Sequence, residues 1–465
     1  MKPWTCLALA CALLGSTNAK SASGDRVLVL VPKVESAKHY SKFLGSLETR
    51  GFEVSIRAAS NTSVALQIDG ERAFDHAVLL APAAKKFGDG LGPLDFTRFV
   101  DDGGNMVVAA SSELSDFHRK LAAQFGVVFE PRSTWAIDHA NYMKQNNASD
   151  HKVVAASNFA PAPAILSPGF AGTLAKNQQK PAVYFKGIAH KYDVANPQLV
   201  PLLTGAITTY SGKDKGEKPI ENANAPLNGK SLGLVSVFQT RSNARVAFAG
   251  STAMFSDALL SKRGGDNQRF VEDVAKWTMQ EKSVLRETGH RHHLSETGEQ
   301  PSHYRVSNEI VYEIDLSVYR DDAWHPYVAD DVQFEAIMLD PYIRTTLNRT
   351  DSTLSASETA TYHGDIKLPD RYGTFTFRVN YKRTGYSNVD VKDTVAIWPL
   401  RHDGYPRFLS AAYPYYTGSF VMVIGFLALC AVWLFSDEPE NTEKAAAAAS
   451  KEKSKAKNKA KNKSS

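Results

Sequence analysis

Arg26-Val27-Leu28-Val29-Leu30-Val31 holds five aliphatic residues in unbroken succession, too few for a helix and followed by Pro32. Such a run reads as a strand buried on both faces. The period then changes. Ser36 can cap a helix on which Tyr40, Phe43, Leu44 and Leu47 share one face, and Gly51 closes it. Phe52–Arg57 and His76–Leu80 return as strands, and Pro93 opens a second helix. Asp101-Asp102-Gly103-Gly104 turns the chain into a strand at Met106–Ala110, and Glu113–Phe125 gives a third helix ended by Gly126. This alternation predicts a mostly parallel, flavodoxin-like sheet with both faces covered. Strands at Ala182–Lys186, Leu203–Tyr210, Leu232–Thr240 and Arg245–Ala249 follow. A helix over Asn267–Gln280 places Phe270, Val274 and Trp277 on the sheet. Residues 25–285 are thus expected to form an α/β domain.

Residues 286–303, which include Thr288-Gly289-His290-Arg291-His292-His293, read as a polar linker. Beyond it the period is two, as in Val311–Tyr319, Val332–Met338 and Thr374–Val379, so residues 304–405 are expected to form an antiparallel β-sandwich.

The two ends fix the compartment. Lys2, the apolar run Trp4–Leu14 and the small residues before Lys20 read as a signal peptide over residues 1–19. Gly418–Phe435 carries no charge, and its 18 residues make a helix roughly 27 Å long, the thickness of a thin bilayer's hydrocarbon core. Tyr413, Tyr415 and Tyr416 form an aromatic collar before it, so 413–435 is expected to be the collar and single transmembrane helix. The signal then places the preceding residues in the lumen and leaves 436–465 as a cytosolic lysine-rich tail.

Of 54 Lys+Arg and 49 Asp+Glu, eight lysines and five acids follow Phe435. With Lys2 in the signal, residues 20–417 carry 45 basic and 44 acidic side chains, a near-neutral balance that gives no argument for nucleic acid. Cysteine occurs only at Cys6, Cys11 and Cys430. The intervening stretch therefore has no cysteine nucleophile, disulfide or thiolate metal site.

Other chemistry is equally sparse. Asp101-Asp102-Gly103-Gly104-Asn105 lacks phosphate-loop spacing and precedes a strand, so it reads as a tight turn. His290, His292 and His293 are expected in a solvated loop rather than at a metal, and no Asp-x-Asp pair occurs. No catalytic residue, metal or cofactor is assigned. Asn61, Asn147 and Asn348 head Asn-x-Ser/Thr sequons and are the expected N-glycosylation sites. Lys461 and Lys463 form a Lys-x-Lys-x-x ending within a low-complexity tail read as disordered.

Three segments carry a resemblance: 339–345 (LDPYIRT), 368–375 (LPDRYGTF) and 407–416 (RFLSAAYPYY). Together with Asp25–Leu30, Gly250–Asp257 and Arg291-His292-His293, they resemble, in order along nearly the whole mature chain, the DDOST/WBP family. The resemblance implies membership of the eukaryotic oligosaccharyltransferase complex, which transfers oligosaccharide from dolichyl diphosphate to asparagine in Asn-x-Ser/Thr. It implies an endoplasmic reticulum membrane location. Its implied partners are ribophorin-type, small DAD-type and catalytic multispanning subunits, and the Lys461/Lys463 ending resembles a retrieval signal. Two roles stay open at this point, a non-catalytic scaffold and a module that binds glycan or acceptor peptide.

Overall fold

The computed structural model describes residues 21–461 apart from 62–63, 69, 89, 146–147, 171, 173–180, 214–226, 321, 351–357, 406–409 and 437–439. The expected signal peptide, Asn147 and Lys463 lie outside the described residues. The chain divides into one unit that ends at Trp398 and a second that begins at Pro399.

The first unit is organised on a mixed sheet. Its strands include β1 (Arg26–Val31), β2 (Glu53–Ala58), β3 (His76–Leu79), β4 (Asn105–Ala109), β5 (Leu199–Thr204), β6 (Gly233–Gln239) and β7 (Arg245–Ala249). The order is β5-β6-β7-β4-β3-β1-β2, with Asn158–Phe159 outside β5. Neighbours from β2 to β7 are parallel, and those from β7 through β5 are antiparallel. A mostly parallel sheet is therefore only half correct. Parallel pairing needs a crossover of a dozen or more residues, whereas five residues join β6 to β7, so that pair closes as a hairpin.

Alternation along β1 feeds two cores. Val27, Val29 and Val31 pack with Phe43, Leu47 and Trp277, while Leu28 and Leu30 pack with Phe96, Phe99 and Leu121. Both faces are covered by helices: α1 (Ser41–Thr49), α2 (Pro93–Asp101), α3 (Asp116–Gln124) and α4 (Asn267–Thr278). Burial of each such side chain contributes about 1.5–3 kcal/mol. Ser36 does not cap α1. It lies in a 3-10 turn, and the Asp257 carboxylate accepts hydrogen bonds from Ser41 N (3.1 Å), Ser41 Oγ (2.8 Å) and Lys42 N (2.8 Å). A carboxylate from 216 residues away thus serves the helix N-terminus, where negative charge is favoured.

The rest of the unit contains two five-stranded sheets. One includes β8 (Val284–Leu294), β9 (Glu309–Arg320), β12 (Ala360–Lys367) paired directly with β9, and two shorter strands. The other runs β14-β13-β10-β11, with β10 at Gln333–Met338, β11 at Asp340–Thr346, β13 at Gly373–Tyr381 and β14 at Val389–Trp398. Pairing is antiparallel except at Tyr304–Arg305, which pairs parallel to β14. The sheets meet where Tyr312 packs on Phe334 (centroids 4.7 Å), which in turn packs on Phe377 (5.4 Å).

β8 overturns the first half of the polar linker, residues 286–294 of 286–303. Residues 284–294 form a strand paired from Val284↔Tyr319 to Leu294↔Ile310. Beyond Val284 and Leu285 its polar residues sit largely on an exposed face, and the one further buried position is filled by His292 rather than by an aliphatic residue, so hydropathy gave no strand signal there.

In the second unit α5 (Tyr413–Phe435) continues a helix from Ser410 that is long and apolar enough to cross a membrane by length and composition. Phe420, Trp433 and Phe435 lie exposed on it. The tail is not disordered as expected, for α6 (Glu440–Lys461) is helical, consistent with the high propensity of its alanines and lysines.

Candidate interaction surface

Two of the three resemblance segments meet at one corner. β11 ends its sheet: one side pairs with β10 from Gln333↔Thr346 to Met338↔Asp340, and the other has no ladder partner among the described residues. Natural edges are usually blunted. Here Pro341 removes one donor, and Arg344 is held by Glu335 at 2.7 Å. Leu339 at the turn is 100% exposed, with φ +66, a left-handed conformation that costs a branched residue roughly 1–2 kcal/mol. Tyr342 and Tyr372 are also exposed, and the Tyr342 ring meets Phe375 edge-on at 5.6 Å. Gly373, at φ +145, lets segment 368–375 close on β10, because an added Cβ would sit 2.8 Å from Met338 Sδ. An apolar, strained and exposed corner needs a cover more than an isolated surface leucine does.

Elsewhere in the unit, buried polar groups tie segments together. His292 is 4% exposed; its Nδ1 lies 2.7 Å from Tyr304 Oη and its Nε2 2.8 Å from Asp393 Oδ2. A solvated histidine loop is thus corrected: His292 links β8 to β14, while His290 and His293 are only partly covered. Burial, with Asp393 nearby, pushes the Tyr304 hydroxyl up to about 12. Arg245 is fully buried and donates to the carbonyls of Trp277 (2.8 Å), Lys282 (2.7 Å) and Ser283 (2.8 Å). The hairpin between β13 and β14 is latched to the first sheet. Trp277 Nε1 donates to Gly385 O (2.7 Å) and Gln239 Nε2 to Tyr386 O (2.8 Å). Gly385 has φ +86, and an added Cβ would lie 2.8 Å from that of Ala164.

The remaining expected sites are dispersed. Asn348 is exposed on a short strand, with Thr350 Oγ1 2.9 Å from His363 Nδ1. Asn61 is half-buried in the turn after β2, its N–H donating to Ala58 O at 3.0 Å. Lys461 is the last residue of α6. The 101–105 segment is a turn that ends α2 and leads into β4. Among the described residues no group of three or more His, Cys, Asp or Glu could hold a metal. Sequence reasoning missed Arg245 and Gly385 altogether. Asp257 carried a signal only as the last residue of the Gly250–Asp257 segment.

Family comparison accounts for both halves of this architecture. The family model for the OST48 N-terminal domain matches residues 18–281, and that for the OST48 middle domain matches residues 292–437. Three relatives bear the name dolichyl-diphosphooligosaccharide–protein glycosyltransferase 48 kDa subunit. The Arabidopsis thaliana protein is 31% identical over 434 residues, covering 90% of this chain and 95% of that protein. The Caenorhabditis elegans protein is 33% identical over 454 residues, covering 94% and 98%. The Danio rerio protein is 33% identical over 435 residues, covering 90% and 94%. With both domain models matched in order and similarity along nearly its whole length, the chain belongs to the OST48 family.

Proposed function

We propose that this chain is a non-catalytic subunit of an oligosaccharyltransferase complex, required for N-glycosylation without performing the transfer. The observation that carries the reading is end-to-end similarity to proteins named as the 48 kDa subunit of that glycosyltransferase. The geometry supports a structural role. Arg245, His292 and Asp257 are each committed to holding distant segments together, while Leu339, Tyr342 and Tyr372 face outward. The chain is a single-pass type I protein of the endoplasmic reticulum membrane, with residues before α5 luminal. Its partners are ribophorin-type, small DAD-type and catalytic multispanning subunits, and α5 packs against their helices. The parallel half of the first sheet is read as flavodoxin-like, and the two later sheets as a sandwich.

The test is a corner variant, Tyr342→Arg with Tyr372→Arg. Both tyrosines are exposed, and charges placed there oppose docking. Co-purified subunits should fall at least fivefold while the melting temperature of the isolated chain holds. Depletion of the chain should leave sequons of reporter glycoproteins unoccupied. Full recovery of the partners by the double variant would remove the corner from the interface, and transfer activity from the purified chain alone would refute the non-catalytic reading.

A further inference from the structure

Where the β13–β14 hairpin enters the first sheet it leaves a cavity of about 500 Å³. Val200 and Val237 contribute to its apolar lining. Arg241, Lys382 and Arg383 supply three cations and no carboxylate lines the cavity. Arg383 is matched by Asp331, its Nε donating to Oδ2 at 2.6 Å. The side chains of Arg241, Lys382, Gln198, Thr384 and Asn388 hold no hydrogen bond or ion pair among the described residues. Five unspent polar groups therefore converge on one concave site at the meeting of two structural regions, where ligand clefts tend to form.

The walls themselves are fixed. Besides the Trp277 and Gln239 bonds, Asn243 Nδ2 donates to Asn388 O (3.0 Å) and Asn388 N donates to Asn243 Oδ1 (2.6 Å). The cleft is thus preorganised, and an occupant does not have to order it.

We propose that this cleft docks an acidic, partly aliphatic peptide segment of a partner protein. The two unmatched cations, Arg241 and Lys382, come from different loops and receive carboxylates. The amides of Gln198 and Asn388 both donate and accept, as the N–H and C=O groups of an extended main chain require. Aliphatic side chains cover half-buried Val200 and exposed Pro197, a surface that a lone oxyanion would leave wet. The site makes no use of Leu339, Tyr342 or Tyr372, so its failure and failure of the corner reading are separate results.

The experiment uses the full chain in an uncharged detergent and fluorescein-labelled twelve-residue peptides that alternate acidic with aliphatic residues. Matched peptides carry lysine in place of the acids, and inorganic phosphate is a third probe. The acidic peptide should bind saturably, more weakly in high salt because the cations lie at an exposed rim. Arg241→Ala with Lys382→Ala should weaken it at least tenfold, about 1.4 kcal/mol. Arg241→Glu with Lys382→Glu should turn the preference toward the lysine peptide. Both positions are exposed, and an unchanged thermal melt confirms that the variants fold. Equal binding of acidic and lysine peptides, undiminished binding by the folded alanine variant, or binding of phosphate without peptide each overturns the proposal.

Discussion

Arg245→Ala should loosen the join between the two family domains. The guanidinium supplies three hydrogen bonds to carbonyls of Trp277, Lys282 and Ser283, which span the end of α4 and the entry to β8. Burial pushes its pKa down to about 9, still above neutrality, so these bonds are charge-assisted. The same segment holds Gln280 at φ +57 and Ser283 at φ +60, left-handed conformations that cost about 1 kcal/mol or more each. Removal of the side chain leaves three buried acceptors without this donor, at roughly 1–3 kcal/mol each, partly offset because a desolvated charge also disappears. A net loss of about 3–5 kcal/mol follows, or roughly 6–10 °C in melting temperature at about 2 °C per kcal/mol for a large unit. Arg245→Met separates the causes, since methionine fills much of the volume but donates nothing. Melts of the full chain by intrinsic fluorescence, with limited proteolysis across 280–290, provide the assay. Both variants should melt within a few degrees of each other and be cut sooner than the parent. A methionine variant as stable as the parent would show that packing, not carbonyl ligation, holds the join.

Acid should destabilise the first unit through three buried histidines. Desolvation depresses His76 and His118 to about 4 and His190 to about 3, against about 6.5 unfolded. Their contribution is present above pH 6.5 and is lost as pH falls toward the folded values. The loss is at most roughly 2 kcal/mol per histidine at pH 5, and a melt unchanged between pH 7.5 and 5 would contradict it. Gly385→Val should lower the melting temperature by several degrees, because a β-branched residue fits neither φ +86 nor the space beside Ala164; an unaltered melt would exclude that close approach. Asn348→Gln should abolish one glycosidase-sensitive gel shift, whereas Asn61→Gln should change mobility less or not at all, since Asn348 is exposed and Asn61 half-buried. Replacement of Lys461 and Lys463 by serine in an unassembled copy should release it from the endoplasmic reticulum, and unchanged localisation would show that assembly alone retains the protein.

The elements legible in the sequence were those whose burial is apolar and local. β1 showed as an aliphatic run, α4 by Phe270, Val274 and Trp277 at helical spacing, and α5 by eighteen uncharged residues. Strand direction was less legible. Nothing in the composition of Gly233–Gln239 or Arg245–Ala249 distinguishes a parallel from an antiparallel neighbour, and only the short connection between them carries that information. β8 was lost for a different reason. Its key inward residue is a histidine whose burial is compensated by Tyr304 and Asp393, the latter 101 residues away. A period-two rule that counts aliphatics must miss a strand whose core position is polar.

Site residues divide along the same physical line. Leu339–Thr345 and Leu368–Phe375 could be singled out because unusual short segments survive as readable strings, and the fold then brings both to one corner through the β10–β13 pairing and Gly373. The junction could not be foreseen, because its parts have meaning only in combination. Arg245 in isolation is a strand residue, Gly385 a loop glycine, and Asp257 the first residue of a one-turn helix. Each acquires a role from a partner between 32 and 216 residues distant. The same holds for the cleft: Gln198, Arg241 and Lys382 lie on three separate loops or strand edges, all polar and all ordinary by composition. Groups that bind through convergence have no local period, so the sequence can propose a family and a fold class, but the place where this chain grips a partner must come from three dimensions.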